Sequence, residues 1–155
     1  MPLTGDGSWF EDFQVGQRMR HARGATVGEA EGQLLTKLVL NTAQAHFNEH
    51  AMRGSPFGEG QLVFGLITAS IVIGLTTEDT AENALGEVSL DDVRFLLPVH
   101  HGDTLDAFTE VLETSGDERP DAGRVRFRHW GTNQEGQVVF MAERTVLVRR
   151  GPSNG

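Results

Sequence analysis

The stretch that decides the fold is LVFGLITASIVIGL, residues 62–75. It is apolar on every side, so most of its surface must be buried. Its β-branched residues would also suit a strand, but with its flank it covers ~16 residues, which is long for a strand and normal for a helix. It is also shorter than the ~20 residues that cross a bilayer. We predict one buried helix that stops near Gly74.

Downstream of this helix the pattern changes to strands. Four apolar segments follow one another from Val88 onward, separated by turn sequences such as HGDT and NQEGQ. In RVRFRHW, residues 124–130, Val125 and Phe127 alternate with arginines that should face the other way, namely Arg124, Arg126 and Arg128. A helix followed by consecutive strands predicts an α+β fold with an antiparallel sheet.

Shorter elements precede the helix. Residues 29–52 carry apolar positions at loose helical spacing, which predicts one or two short helices. A short strand should end near Ala25, residues 53–60 (RGSPFGEG) should form a loop, and residues 76–87 a polar linker. We expect residues 1–150 to form one domain and residues 151–155 a disordered tail.

The composition narrows the function classes. With 155 residues, 38% hydrophobic and 23% charged, the chain has the make-up of a soluble globular domain. A net charge of −9 argues against nucleic-acid binding, and the lack of cysteine excludes disulfides, thiolate nucleophiles and cysteine-rich zinc sites. The first residues have no apolar signal-peptide core, so we predict a cytoplasmic protein without membrane contact.

A short histidine motif admits a metal interpretation. His46-Phe47-Asn48-Glu49-His50 has the form H-x-x-E-H, in which two imidazoles on one helix face could bind zinc. Only three of five positions are fixed, and the chain is short for a second ligand helix. An exposed helix turn with polar residues explains the motif as well, so we predict no metal site.

A longer motif resembles a known family. The run RFLLPVHHGDT, residues 94–104, follows the predicted helix at a distance typical of the MaoC-like hydratases, which have the hot-dog fold. In that family an Asp and a His five residues apart precede the helix, and here Asn41 and His46 keep that spacing. TNQEGQVV and RTVLVRR look closer to the mesaconyl-CoA hydratase branch. The resemblance extends from about Trp9 to Arg149.

The resemblance implies a fold, an assembly and an activity. Its fold is a long central helix wrapped by an antiparallel sheet of about five strands, and two such units pair, so we expect a homodimer or a higher even assembly. Its activity is that of a carbon–oxygen lyase, a hydratase or dehydratase on a 2-enoyl-CoA or 3-hydroxyacyl-CoA thioester. No cofactor is implied, and a branched C4-dicarboxylyl-CoA such as mesaconyl-CoA is a possible substrate.

The resemblance also implies catalytic roles. His46 would be the acid and base, Asn41 would position the water, and the N–H of Gly65 would bind the thioester oxygen. Asn41 departs from the family, because an amide cannot take a proton from water. Glu49, one turn from His46, or a carboxylate of the substrate could assist. The alternatives are a helix cap for Asn41, a close helix–sheet contact for Gly65 and a structural role for His46.

Three residues are candidates for substrate binding: Arg94, Phe64 and Glu49. Arg94 could meet a CoA phosphate or a substrate carboxylate, or it could simply pair with Asp91 or Asp92. His100 and His101 should be exposed in a turn. Two other functions stay open, a thioesterase on the same fold and a non-catalytic acyl-CoA-binding subunit of a heteromeric hydratase. The predicted helix contains no Asp or Glu, which argues against the thioesterase.

Overall fold

The computed structural model describes residues 7–152. Three α-helices, separated by loops and short 3₁₀ turns, are followed by four long strands. The helices are α1 (Glu29–Leu38), α2 (Glu49–Met52) and α3 (Gly65–Thr80). The strands are β1 (Arg18–Arg20), β2 (Ala25–Thr26), β3 (Ala84–Phe95), β4 (Thr104–Gly116), β5 (Ala122–Thr132) and β6 (Val138–Arg149). No helix within residues 7–152 is long and apolar enough to cross a membrane.

The strands form one antiparallel sheet. Its order is β1-β4-β5-β6-β3, with β2 paired to β4 beside β1. The predicted α+β architecture, a long helix against an antiparallel sheet, is confirmed. The sheet has six strands rather than about five, because the two residues of β2 pair separately with Leu105 and Thr104.

The central helix is longer than predicted. Gly74 does not end it, and α3 continues through residues 76–80, which we expected to form a linker. The helix accommodates the polar residues there, because the Thr76 hydroxyl donates to the Ile73 carbonyl at 2.8 Å and the Thr80 hydroxyl donates to the Thr76 carbonyl at 2.8 Å. These threonines satisfy their own hydroxyls locally and can therefore be buried.

The core lies between α3 and the sheet. Ile67 and Val72 of α3 are buried there, and burying such a side chain contributes roughly 1.5–3 kcal/mol. On β5 the predicted alternation is confirmed, with Val125 and Phe127 fully buried. Gly131 lies directly under Val72, where a Cβ would collide with the valine methyls. Helix and sheet therefore approach closely at this point.

The edge strand β3 begins and ends earlier than predicted. The segment that we expected to begin at Val88 begins at Ala84, and it ends at Phe95 after an irregularity at Asp92, which has φ +46°. The remaining residues of RFLLPV then leave the strand and cross toward α3.

At the other end of the chain, the N–H of Gly151 donates to the Glu11 carboxylate at 2.9 Å. Of the predicted tail, residues 153–155 lie outside the described part.

Candidate active site

His46 is held from two sides by the segment that leads into α3. It ends a 3₁₀ turn (Gln44–His46), and its Nδ1 lies 2.9 Å from the carbonyl oxygen of Leu62. The Leu62 N–H donates back to the Ala45 carbonyl at 2.9 Å. The imidazole also packs on the Phe64 ring, with 5.4 Å between the ring centroids. These contacts fix a half-buried histidine close to the start of the central helix.

The bond to Leu62 decides which nitrogen of His46 is available. A carbonyl oxygen only accepts hydrogen bonds, so in the neutral ring Nδ1 carries the proton. The lone pair then lies on Nε2. A neutral imidazole with a free Nε2 can take a proton from water and return it, which is the chemistry of a general base and acid.

Asn41 is tied into the turn that precedes His46. Its Oδ1 accepts the N–H of Ala43 at 2.9 Å, and the Ala43 carbonyl accepts the N–H of His46 at 3.2 Å. This short chain of bonds explains why a spacing of five places the two side chains in one local unit. The Asn41 oxygen is therefore engaged, and Nδ2 has no partner within residues 7–152. Its role in positioning water stays a prediction.

Gly65 begins the central helix beside His46. The preceding residue, Phe64, offers no side-chain oxygen to cap the helix. Among the described residues, no acceptor meets the N–H of Gly65, so this donor is available at the positive end of the helix dipole. A Cβ at Gly65 would lie 3.1 Å from the Phe95 ring. The glycine therefore allows a close helix–sheet contact, and its N–H has no acceptor among the described residues.

A cavity of about 250 Å³ opens beside Gly65. Its wall is apolar, and within the described residues its only polar side chain is that of Thr68. The segment after β3 contributes most of the wall that lies away from the helix. The apolar lining residues include Phe57, Leu62, Phe95, Leu96, Leu97 and Val99. An apolar cavity that ends at a free N–H suits an acyl chain with a carbonyl group.

A polar depression lies near this cavity. Glu49 is exposed at the start of α2 and lines it together with Glu29 and Glu59. Asn48 caps α2, accepting the N–H of Ala51 at 3.1 Å, so Glu49 occupies the first turn and makes no hydrogen bond to His46 in the described structure. Its role as an assisting or substrate-binding carboxylate is untested.

The zinc interpretation needs a helix face that does not form. His46 ends the 3₁₀ turn, Phe47 has φ −152°, and α2 begins only at Glu49. His46 and His50 are therefore on separate elements and do not share a face.

Two histidines that we expected to be exposed are partly buried. His100 and His101 contact the loop and α1, and three of their four ring nitrogens are buried without a partner among residues 7–152. Burial lowers the pKa of His101, an effect that Glu29 opposes and the charges of His46 and His100 strengthen. A Cβ at Gly32 would lie 2.5 Å from the His101 ring, so this packing requires a glycine on α1. The three histidines form one cluster.

Arg94 and the stripe of arginines along one face of β5 are paired with carboxylates. Arg94 donates from Nε to Asp92 at 2.9 Å and remains exposed on the edge strand. In the stripe on β5, Arg124 pairs with Asp117, and Arg126 and Arg128 both pair with Glu143. The ion pair was one of our two alternatives for Arg94. A contact to a CoA phosphate stays a prediction.

Comparison with known proteins identifies the family of the chain. A family description named mesaconyl-CoA hydratase matches residues 2–150. The chain belongs to the mesaconyl-CoA hydratase family. Curated relatives include the mesaconyl-CoA hydratase of Haloarcula marismortui, 34% identical over 96% of this chain and 44% of the relative. Another is the β-methylmalyl-CoA dehydratase of Chloroflexus aurantiacus, 34% identical over 95% of this chain and 46% of the relative.

Solved structures agree with this family. A MaoC domain protein dehydratase from Chloroflexus aurantiacus superposes with a TM-score of 0.87 at 31% identity, over 96% of this chain and 46% of that one. A Mycobacterium tuberculosis protein described as a double hotdog fold superposes with a TM-score of 0.83 at 21% identity, over 96% and 46%. The hot-dog fold is thereby confirmed. The chain spans about half the length of the curated mesaconyl-CoA hydratases it matches.

A buried polar chain crosses the core and was missed by sequence reasoning. Asp79 meets His21 Nδ1 at 2.6 Å, His21 Nε2 meets the Thr109 hydroxyl at 2.7 Å, and that hydroxyl meets His129 Nδ1 at 2.8 Å. Burial, with the nearby charges of Arg144 and His21, lowers the pKa of His129 to about 3. The alternation of Val125 and Phe127 continues to His129 and could have indicated its buried position. Its partners Thr109, His21 and Asp79 are too far away in sequence for a local pattern to reveal them.

Proposed function

We propose that this chain carries a hydratase site for 2-enoyl-CoA thioesters and, in reverse, a dehydratase site for 3-hydroxyacyl-CoA thioesters. The observation that carries the proposal is the hydrogen bond from His46 Nδ1 to the Leu62 carbonyl. It leaves Nε2 as the basic atom. Leu62 and Gly65 both line the apolar cavity, so His46 is bonded to one of the residues around a space that could take an acyl chain.

The reaction balances with water as the only second reactant. His46 Nε2 removes a proton from water as the oxygen bonds to C3, and the electron pair of the C2–C3 double bond moves toward the thioester. The Gly65 N–H donates to the thioester oxygen as negative charge develops there. Such a donor contributes about 2.7–4 kcal/mol to transition-state stabilisation. The protonated His46 then delivers its proton to C2, and nothing is oxidised or reduced.

Asn41 supports a second candidate, a non-catalytic acyl-CoA-binding subunit. Its oxygen already accepts the Ala43 N–H, so this side chain can donate to a water but cannot deprotonate it. The chain also spans only about half of its curated relatives. A partner unit that supplies the missing carboxylate would then complete the site.

A thioesterase is less well supported. A catalytic carboxylate on the central helix would have to lie near Gly65, but the first one along α3 is Glu78. At about 1.5 Å of rise per residue it lies roughly 20 Å along the helix from Gly65. Asp79, the next residue, is already bonded to His21.

The proposal includes a second hot-dog unit paired along β3. This strand is the sheet edge opposite β1 and pairs only with β6 in the described structure. Several exposed side chains of β3 and of the two residues after it are apolar, which favours an interaction surface. These apolar residues, between 37% and 50% accessible, are Val88, Leu90, Val93, Phe95, Leu96 and Leu97. A homodimer would reproduce the two units of a double hot-dog protein.

The proposal has further parts that rest on the sequence composition and on the relatives. From the composition, we propose that residues 1–150 form one domain and that the reaction takes place in the cytoplasm. The relatives' names make mesaconyl-CoA and β-methylmalyl-CoA candidate substrates.

Isotope labelling separates the three functions in one experiment. The protein is incubated with crotonyl-CoA in water enriched in ¹⁸O, and the products are analysed by mass spectrometry. A hydratase gives 3-hydroxybutyryl-CoA with ¹⁸O at C3. A thioesterase gives free CoA and ¹⁸O in the released carboxylate. Unchanged substrate that nevertheless binds the protein would replace the proposal with the binding subunit.

A further inference from the structure

The two faces of the edge strand β3 can be assigned from its pairing with β6. Residues that lie directly opposite each other in an antiparallel ladder point to the same side of the sheet. Phe95 lies opposite Phe140, which belongs to the core against α3, and Leu90 lies opposite Arg144, four positions further along β6. Because the faces of a strand alternate with a period of two, Leu90 and Phe95 both point to the helix side of the sheet.

Two charged residues of β3 point to the other side. Asp91 lies opposite Glu143 and Arg94 lies opposite Met141, and the bulge between Asp91 and Arg94 keeps both on the outer face although they are three positions apart. Among the described residues Asp91 makes no ion pair, and its neighbour across the ladder, Glu143, carries the same charge. Arg94 is exposed and forms its ion pair within β3, with Asp92. The free edge of the sheet therefore carries a carboxylate without a cation and an accessible guanidinium on one face.

These faces and charges favour one register between two copies of the strand. A twofold axis pairs the two β3 edges antiparallel. If Asp91 lies opposite Arg94 of the partner copy, symmetry places Arg94 opposite the partner's Asp91, and Leu90 comes to lie opposite the partner's Phe95. Every one of these contacts joins side chains on the same face, and the charges are opposite. A register with Asp91 opposite the partner's Asp91 would instead bring like charges together, which is destabilising.

The same register brings the partner copy to the cavity beside Gly65. The Phe95 ring lies against Gly65 and lines this cavity together with Leu96 and Leu97, which are 47% and 42% exposed. The partner's Leu90, placed opposite Phe95 on the helix side, would cover exposed apolar surface at the rim of the cavity. Each copy would then contribute part of the wall of the other copy's cavity.

We propose that the second unit is an identical copy of this chain, docked on β3 in this register, with reciprocal Asp91–Arg94 ion pairs across the twofold axis. The inference rests on the pairing along β3 that the proposed function includes, and it deepens that proposal by naming the partner and the contacts that select it. Exposed ion pairs stabilise only weakly, whereas like charges in the same places repel. Charge reversal is therefore a more sensitive test than removal of the charges.

The variants Asp91→Arg and Arg94→Asp test the register by complementation. The first carries cations at both positions and the second carries carboxylates at both, so each variant alone brings like charges together twice in a dimer. An equimolar mixture restores both opposite pairs. Sedimentation equilibrium should give a dimer Kd at least tenfold higher for each variant alone than for the unmodified protein, and a Kd close to that of the unmodified protein for the mixture. Arg18→Asp, a charge reversal on β1 at the opposite edge of the sheet, is the control and should leave the Kd unchanged.

Two results would overturn the register in variants that circular dichroism shows to be folded. One is an unchanged Kd in either variant alone, and the other is a mixture that dimerises as weakly as its components. Hydration of crotonyl-CoA by the unmodified protein is measured on the same samples. Turnover with failed complementation would overturn this inference and leave the hydratase proposal standing. Complementation without turnover would support the register and remove the hydratase proposal.

Discussion

At Asn41 the chain carries an amide where the family resemblance leads us to expect a carboxylate. The surrounding turn suits either side chain, since a carboxylate oxygen can accept the Ala43 N–H as the amide oxygen does. The substitution therefore changes proton transfer while it preserves the local structure. In the proposed mechanism, proton transfer then falls to His46, whose position the Leu62 carbonyl fixes.

Asn41→Asp should raise the hydration rate tenfold or more. The second carboxylate oxygen would restore a base close to His46, and general-base catalysis contributes typically about 10²–10⁴-fold. The measurement is kcat with crotonyl-CoA, with circular dichroism as the check on folding. A folded Asn41→Asp protein with an unchanged or lower rate would mean that residue 41 does not face the reacting water.

The proposed catalytic residues could be named only through the resemblance. Spacing alone left His46 compatible with a zinc motif, and it was the break in helical structure between His46 and Glu49 that removed this option. The tautomer of His46 depends on the Leu62 carbonyl, which no sequence pattern indicates. His101 was misjudged because its burial depends on a contact with Gly32 of α1, and His100 because its ring lies beside Gly58 and Gly60 of the loop before α3.

At the scale of the elements, the start of α3 contributes most to the site. In the proposed mechanism Gly65 supplies the N–H that binds the thioester oxygen, and its lack of a side chain leaves room for the Phe95 ring. Gly74, in the same helix, has nothing within 4 Å of a built Cβ. Substitution of each glycine by alanine therefore distinguishes a functional role of Gly65 from the general effect of glycine on helix stability.

Gly65→Ala should lower kcat/KM tenfold or more, because the new Cβ crowds Phe95 and hinders approach of the thioester oxygen. Gly74→Ala is the matched control. It should keep its activity and gain up to about 1 kcal/mol in free energy of unfolding from helix propensity. Steady-state kinetics and urea unfolding measure the two effects. Equal activity in both variants would remove Gly65 from the site.

The buried chain between α3 and the sheet makes stability depend on pH. Folded His129 has a pKa of about 3, whereas an unfolded histidine has a pKa near ~6.5. Between these values the unfolded chain binds the extra proton, so stability falls as the pH is lowered from ~6.5 toward ~3. The contribution of His129 is at most about 1.4 kcal/mol per pH unit.

His129→Asn should make this fall less steep. Asparagine can occupy the place of Nδ1 beside Thr109 but does not titrate. Urea unfolding of the two proteins at pH 7, 6 and 5 gives the slopes, and the difference between slopes is independent of any constant loss of stability. Parallel slopes would show that His129 is not held neutral in the folded protein.

The elements themselves were largely predictable from periodicity, with two informative exceptions. Gly74 did not stop α3, and the buried Thr76 and Thr80 lie in its last turns with their hydroxyls bonded to helix carbonyls. The strand predicted to begin at Val88 ended at Phe95, because the irregularity at Asp92 redirects the chain. Both outcomes depend on local bonds that hydrophobic patterns do not record.

At the scale of the whole molecule, the apolar edge of β3 and the half-length match to the relatives point to paired units. Leu90→Lys should weaken this pairing, because it places a charge on the edge that a partner would cover. Val15→Lys is the control, since Val15 is 64% exposed and lies away from β3. Sedimentation should give twice the chain mass for the unmodified protein and the control, and a lower mass for Leu90→Lys. A monomeric unmodified protein would contradict the pairing.

The most direct test of the central claim is the loss of the conjugated enoyl-thioester absorbance when crotonyl-CoA is mixed with the unmodified protein, His46→Ala and His50→Ala. The account predicts turnover by the unmodified protein and by His50→Ala, and a loss of about 10²–10⁴-fold in His46→Ala. Turnover that persists in His46→Ala would contradict the account.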